Sequence, residues 1–319
     1  MAKIFVSGHR GMVGSAILRA LESSGEGWDV LTRSRRELDL CDQSGVDDFL
    51  ATEKPEVIIN AAGKVGGIHA NDTYPAEFIR ENLMINANLI HSAWRHGINR
   101  FLNLGSSCIY PREADQPLRE DALLTGPLEP TNSAYALAKI SGLEMCRHYR
   151  AQYGVDFHSA MPTNLYGPGD NYHAENSHVL PALIRRFHKA VSERKAEVTI
   201  WGSGNPKREF LHVDDLAKAC IFFMNTHKKA LDNLVNPMNS HVNIGYGSDI
   251  SIKELANLIK EIVGYSGKIQ YDSTKPDGTP KKLLDSSRIN DLGWRAEINL
   301  EDGLKETYND FKKFKNNRL

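Results

Sequence analysis

The stretch from residue 3 to residue 14 constrains the fold of this chain more than any other. Lys3-Ile4-Phe5-Val6-Ser7 is a short apolar run with the make-up of a strand. It leads into Gly8-His9-Arg10-Gly11-Met12-Val13-Gly14, and a helical pattern follows with Val13, Ile17, Leu18 and Leu21 on one face. Strand, glycine turn and helix in that order open a βαβ unit, whose parallel strands must be covered on both faces. Glycines permit the tight turn and let the backbone approach a pyrophosphate. The helix that follows offers free N–H groups and a positive dipole end to such an anion. The spacing here is G-x-x-G-x-x-G, and taken alone it also suits a purely structural turn.

The alternation continues. Residues 29–32, 56–60, 100–104 and 157–161 read as further strands, with helices near 44–53, 75–97 and 133–153 between them. This pattern predicts an α/β fold, a Rossmann-type doubly wound parallel sheet. Beyond residue 165 the order changes to a helix at 178–193, a strand at 197–201, a helix near 213–226 and a strand at 242–245. A helix at 251–263, a strand at 268–272 and a last amphipathic helix at about 299–315 complete it. We read residues 1–165 as the dinucleotide-binding unit. Residues 166–319 read as mainly a smaller C-terminal α/β substrate-binding lobe, with some segments returning to the first unit. No stretch rich in Gly, Ser or Pro divides the two.

Bulk properties exclude several function classes. At 319 residues and 41% hydrophobic the chain can bury a full core. A formal net charge of −1 gives no general attraction to nucleic acid or to anionic lipid. No apolar run approaches membrane-spanning length. Cys41, Cys108, Cys146 and Cys220 have neither metal-type spacing nor the density of a disulfide framework. No metal is expected, and a reducing, cytoplasmic setting is the simplest reading.

Cofactor choice should be written at the end of the second strand. A carboxylate there would bind the adenosine ribose hydroxyls of NAD. This chain carries Arg33, Arg35 and Arg36 instead, with Arg10 inside the glycine turn. Guanidinium groups match a 2′-phosphate in charge and in fork geometry, which points to NADP(H).

Two further motifs supply chemistry. Tyr135 and Lys139 lie four residues apart and share a helix face. A free phenol has a pKa of about 10, and a neighbouring ammonium is expected to lower it. Ser106 ends the fourth strand, where a hydroxyl can polarise a substrate carbonyl. Tyr-x-x-x-Lys alone is equally a surface helical pair, and it gains meaning from the glycine turn and Ser106.

With these residues in hand, the chain resembles the extended short-chain dehydrogenase/reductase family over essentially its whole length. The resemblance is carried by residues 8–14, 64–68 (Lys-Val-Gly-Gly-Ile), 105–111 (Gly-Ser-Ser-Cys-Ile-Tyr-Pro), 128–131 and 162–168. It continues through 176–179, 201–204, 208–215 and 275–280. It implies a reductase triad of Ser106, Tyr135 and Lys139, and an epimerisation acid/base pair of Cys108 and His178. It implies cofactor contacts from Gly8, His9, Arg10, Gly11, Met12, Val13, Gly14, Arg35 and Arg36. Leu104, Gly105, Ser106, Ser107, Lys139, Pro162, Thr163, Asn164 and Leu165 complete that set. Arg186, Trp201, Arg208 and Asp277, with His178, match positions that hold a GDP-sugar.

The implied reaction is inversion at C3 and C5 of a GDP-4-keto-6-deoxy sugar, followed by NADPH-dependent reduction at C4. A C4 ketone acidifies both neighbouring C–H bonds, so one carbonyl can serve both steps. Read without the resemblance, Cys108 is equally a small buried hydrophobe, His178 a helix cap, Trp201 a core residue and Asp277 a turn residue. A family dehydratase would carry an acidic residue where this chain has Ser107-Cys108-Ile109, and a 4-epimerase would favour NAD. A non-catalytic scaffold would not need the five catalytic candidates intact. Helices near 80–97 and 133–153 are expected to form a four-helix homodimer interface.

Overall fold

The computed structural model describes residues 2–174, 176–235, 239–275 and 277–316, with side chains as far as residue 313. The first half runs β1 (Lys3–Ser7), α1 (Met12–Ser24), β2 (Asp29–Leu31), α2 (Gln43–Glu53), β3 (Val57–Asn60), α3 (Ile68–Thr73) and α4 (Pro75–Arg95). It ends with β4 (Arg100–Leu104), α5 (Ser133–Tyr153) and β5 (Asp156–Pro162). The second half opens with β6 (Asn164–Tyr166), α6 (Val179–Ser192), β7 (Glu197–Trp201), β8 (Lys207–His212), α7 (Val213–Asn225) and α8 (Lys228–Leu234). There follow β9 (His241–Ile244), β10 (Asp249–Ser251), α9 (Ile252–Val263), β11 (Lys268–Asp272), β12 (Lys281–Lys282), α10 (Ser287–Asp291) and α11 (Leu300–Asn316).

The central sheet has six strands in the order β2-β1-β3-β4-β5-β9, every pair parallel. Strand alternation sorts its side chains between two faces. Ile4, Val6 and Ile59 pack with Ala16, Ile17 and Leu21 of α1 and with Leu216, Cys220 and Phe223 of α7. Phe5, Ile58, Phe101 and Phe157 pack on the other face with Val46 and Leu50 of α2 and Leu89 and Ile90 of α4. On α1 the buried stripe is Gly14, Ala16, Ile17 and Leu21; Val13 and Leu18, expected on it, lie at its margins. From β1 the chain moves outward to β2 and then crosses back to β3. The carboxyl ends of β1 and β3 therefore form the switch point of the sheet, where α/β folds bind ligands.

Part of the second half serves this sheet, since β9 extends its edge and α7 covers α1. The remainder builds a smaller layer in which β8 is flanked by β10 and β12 and pairs with β6, while β11 pairs with β7. Its core joins α6, α9 and α11 through Ile184, Phe187, Leu255, Ile259, Leu304 and Phe311. Helix α9 starts at a capping box in which Ser251 and Glu254 satisfy one another's backbone N–H.

Several elements escaped the periodicity argument. Strand β8 is short, begins with three charged residues and pairs only with strands distant in sequence, so it has no local signature. The expected helix at 75–97 ends at Arg95, where His96 and Gly97 turn the chain toward β4.

Candidate active site

The glycine turn is a cradle that only bare backbone fits. Gly8 has φ +70°, and a Cβ there would lie 2.7 Å from the Ala61 carbonyl oxygen. A Cβ on Gly14 would come within 2.3 Å of the Gly8 carbonyl oxygen. Gly11 closes the turn by donating to that same oxygen at 3.0 Å and serves as the N-cap of α1. Beneath it, Ser7 Oγ donates to Asn60 Oδ1 at 2.8 Å, tying the ends of β1 and β3. His9, Met12 and Val13 remain half-buried around the turn. This shape fits a dinucleotide pyrophosphate against the α1 N-terminus.

The arginines divide. Arg33 is spent on structure, with its guanidinium on Glu53 at 2.6 Å and over the Phe49 ring at 5.2 Å, so the sequence expectation for it is corrected. Arg35 reaches Glu81 at 3.2 Å and Asp39 at 3.9 Å. Arg36 makes no hydrogen bond or ion pair among the described residues and is exposed, as is Arg10. Ser34 is buried and donates its N–H to Glu37 at 2.7 Å, a turn that holds both exposed arginines of this loop outward.

Ser106, Cys108, Tyr135 and Lys139 converge at the end of β4. Ser106 caps a 3-10 turn over Ser107–Ile109 and accepts weakly from the Cys108 N–H at 3.4 Å. Its hydroxyl also favours the Tyr135 phenolate. Lys139 is buried, donates to the Leu104 carbonyl at 2.8 Å and lies 5.7 Å from the centre of the Tyr135 ring. Gly105 allows this crowding, since a Cβ there would strike Met161 at 2.2 Å. The expected lowering of the Tyr135 phenol is not found. Burial pushes it well above the ordinary range, the Cys108 charge adds to this, and the Ser106 hydrogen bond opposes it only in part. Burial pulls the Lys139 ammonium down to about 8, with Cys108 opposing.

Cys108 and His178 both feel the Lys282 charge. Burial raises the Cys108 thiol, while Lys282, the Ser106 hydrogen bond and Lys139 pull it back. His178 occupies the N-cap position of α6 without using its side chain as a cap. It stands at the cleft mouth, where surrounding protein and the Lys282 charge hold its imidazole below the usual histidine range. Gly67 donates to the Asn176 carbonyl at 2.9 Å, so the 64–68 segment and the His178 loop are tied together. A cleft of about 330 Å³ opens beside them between Lys64, Tyr74 and Asn176.

The sugar-nucleotide candidates form a second group. Trp201 is 68% exposed with the Lys275 amine 5.6 Å from its ring centre, which excludes a core role. Asp277 accepts from Ser203 N at 2.8 Å and Ser203 Oγ at 2.6 Å. Arg186 donates to the Thr199 carbonyl at 2.7 Å. Arg208 donates to the Thr279 carbonyl at 2.7 Å. Pro276 of the 275–280 motif lies outside the described residues.

The cofactor segment at the end of β5 is joined to this group. Pro162 ends β5, Thr163 N donates to the Ile244 carbonyl at 3.1 Å, and Asn164 Nδ2 donates to the Glu209 carbonyl at 2.8 Å. Leu165 lies beside Leu211 in the β6–β8 pair.

Comparison with known proteins agrees with this geometry. The model of the NAD dependent epimerase/dehydratase family matches residues 4–245. The chain belongs to that family. It is 56% identical to GDP-L-fucose synthase 1 of Arabidopsis thaliana over 96% of this chain and 92% of the relative. It is 54% identical to GDP-L-fucose synthase of Escherichia coli K12, covering 96% and 95%. Among solved structures, a GDP-D-glycero-L-gluco-heptose synthase from Campylobacter jejuni, determined in the presence of NADPH, superposes with a TM-score of 0.90. That protein is 37% identical, covering 98% of each chain.

Within this family frame, two residues near these segments were not singled out from the sequence. Lys282 follows the 275–280 segment in a Lys281-Lys282 pair that reads from sequence as solvated charge. Glu209 sits inside the 208–215 segment, yet only the fold reveals it as a buried carboxylate accepting from Gly247 N at 2.7 Å and Leu284 N at 3.0 Å.

Proposed function

We propose that this chain converts GDP-4-keto-6-deoxy-D-mannose to GDP-L-fucose, inverting C3 and C5 and then reducing C4 with NADPH. The observation that carries the reading is the convergence of Ser106, Cys108, Tyr135 and Lys139 at the end of β4. Ser106, Tyr135 and Lys139 suit a reduction, and Cys108 with His178 suits proton exchange. The full-length similarity to GDP-L-fucose synthases supports the same substrate.

The cofactor would lie in the glycine cradle, its 2′-phosphate toward Arg10, Arg35 and Arg36, and its nicotinamide side near Lys139 and residues 104–107 and 162–165. When bound, NADPH supplies the hydride for C4. Ser106 donates a hydrogen bond to the C4 carbonyl oxygen, which favours the enolate formed when a proton leaves C3 or C5. Cys108, as thiolate, takes that proton from one face. His178, as imidazolium, returns one from the other face, and this inverts the centre. The two residues reset by exchange with solvent, Cys108 releasing its proton and His178 taking one up. After both inversions Tyr135 gives its hydroxyl proton to the C4 alkoxide. A phenol held high by burial is a protonated donor at neutral pH, and Lys139 offsets the charge it leaves. Arg186, Trp201, Arg208 and Asp277 hold the nucleotide end.

In this reading residues 1–165 form the cofactor unit, and residues 166–319 mainly the substrate lobe. Helices α4 and α5 pack side by side, while Leu137 and Tyr153 of α5 stay exposed, which supports a four-helix homodimer. Light scattering at working concentration tests it, and a monomer rejects it. Four free cysteines accord with a cytoplasmic setting, and no helix among the described residues is long and apolar enough to cross a membrane.

The deciding experiment incubates the protein with GDP-4-keto-6-deoxy-D-mannose and NADPH in heavy water. Stoichiometric NADPH oxidation, GDP-L-fucose as product and deuterium at C3 and C5 are expected. Oxidation without deuterium would make the chain a simple ketoreductase, and would remove Cys108 and His178 from the chemistry. No oxidation and no exchange would point to another sugar nucleotide or to a non-catalytic role.

A further inference from the structure

The turn that carries Ser106 and Cys108 has little stiffness of its own. It is a single 3-10 turn over Ser107–Ile109 with long internal bonds, Cys108 N to Ser106 Oγ at 3.4 Å and Ile109 N to the Ser106 carbonyl at 3.3 Å. Bonds of that length in so short a turn hold its side chains loosely. Two anchors flank it. Upstream, Gly105 N donates to the Ala160 carbonyl of β5 at 2.9 Å. Downstream stands Tyr110, whose ring shares an apolar cluster with Ile109, Leu118, Leu143, Met161 and Leu284.

The Tyr110 hydroxyl is buried and meets two residues of β9, His241 Nε2 at 3.0 Å and Asn243 Oδ1. A phenol has one proton to give, and here it goes to the Asn243 oxygen, which can only accept. The His241 contact then runs the other way, from Nε2–H to the phenol oxygen. Burial and the Arg288 charge keep the ring neutral, so one nitrogen alone carries a proton. That leaves Nδ1 bare, and Nδ1 has no partner among the described residues. Asn243 is itself fixed. Its Nδ2 donates to the Leu118 carbonyl at 2.9 Å and the Asp285 carbonyl at 3.1 Å, and its backbone N–H to Glu120 Oε1 at 3.0 Å. Strand β9 is held in turn by its parallel pairing with β5. The hydroxyl thus ties the end of the turn to a point in the sheet with little freedom of its own.

We infer that Tyr110 is a positioning residue, its hydroxyl fixing through His241 and Asn243 the place where the turn presents Ser106 and Cys108. Removing that oxygen alone keeps the ring in its apolar cluster. It strands Asn243 Oδ1 and His241 Nε2 in the interior without their partner, and the turn loses its downstream anchor. The inference rests on the chemistry proposed for Ser106 and Cys108, and adds what holds them in register with the sheet.

The test labels the free protein with iodoacetamide and follows each cysteine by peptide mass spectrometry. Cys108, Cys146 and Cys220 are all buried, and the last two, on α5 and α7, report any global opening. Tyr110→Phe should label Cys108 about tenfold faster and leave Cys146 and Cys220 at wild-type rates. Exchange at C3 and C5 should fall about tenfold in kcat, with KM unchanged. Equal acceleration at all three cysteines would make the hydroxyl a general stabiliser and overturn the inference. Unchanged labelling of Cys108 would overturn it, and so would faster labelling with wild-type exchange. If Tyr110→Phe does not fold, His241→Phe decides by the same readouts, because it removes one partner of the same hydroxyl. The labelling needs no substrate, so a wild-type protein that leaves the GDP-sugar untouched defeats the proposed function and not the anchored turn.

Discussion

Lys139 Nζ donates to the Leu104 carbonyl oxygen at 2.8 Å, anchoring the amine of α5 to the last residue of β4 with no carboxylate between them. The ammonium is thus held in place while burial pulls it to about 8. Its charge is present below that value and lost above it. Single-turnover reduction at saturating NADPH should therefore decline as pH rises through about 8. Lys139→Met should be slow at every pH and show no such decline. A wild-type profile that stays flat to pH 10 would remove the ammonium from the reductive step.

Tyr135 and Cys108 serve separable steps in the proposed reaction. Removing a positioned proton donor costs about 10²–10⁴-fold. Tyr135→Phe should lose reduction by about that factor and still exchange deuterium into the substrate. Cys108→Ser should do the reverse, losing exchange while binding NADPH normally. Mass spectrometry of the recovered sugar separates the two, and normal turnover by Cys108→Ser would mean that another group is the base.

Arg36 is exposed and has no hydrogen bond or ion pair among the described residues, whereas Arg35 is shared with Glu81 and Asp39. A charge-assisted hydrogen bond contributes about 1.5–3 kcal/mol. Arg36→Ala should therefore weaken NADPH binding about tenfold or more and leave NADH binding unchanged, with a smaller effect from Arg35→Ala. Fluorescence titration with both cofactors measures this. Equal losses for NADPH and NADH would place the 2′-phosphate elsewhere.

His241 is fully buried, with Tyr110 at 3.0 Å from its Nε2, and burial with the Arg288 charge lowers its imidazole from 6.5 to about 3. Between those values the unfolded chain binds a proton that the folded chain refuses. Stability is therefore complete above pH 6.5 and is lost as pH falls toward 3. The loss between pH 6.5 and pH 5 should be roughly 2 kcal/mol from this residue. Thermal unfolding across that range should show the drop, and His241→Gln should have a shallower acid limb. An equal slope in the variant would assign the acid sensitivity to other groups.

Most of the scaffold was legible because its signals are local. Apolar strands, the helical face of α1 and the glycine turn each announce themselves within a dozen residues. Ser106, Tyr135 and Lys139 were candidates from local motifs, Cys108 and His178 only from the family resemblance, and the fold brings Ser106, Cys108, Tyr135 and Lys139 together at the end of β4. Expectations failed where a burial or a long-range pairing decided the outcome. Arg33 was expected beside the cofactor, yet Glu53 and Phe49 claim it across the β2–α2 connection. Tyr135 was expected to be acidified by Lys139, yet burial and the Cys108 charge raise it, opposed in part by Ser106 alone.

The sequence by itself determined the parallel α/β core, the glycine cradle and the order of the reactive residues, because strand alternation, helix periodicity and backbone sterics act over short spans of chain. Only the tertiary structure decided which charges face one another. Lys282 stands opposite Arg208 because β12 pairs with β8, and Glu209 joins Asn164, Gly247 and Leu284 because three distant segments share its backbone and carboxylate. Electrostatics depends on distance and burial, and neither is set by separation along the chain.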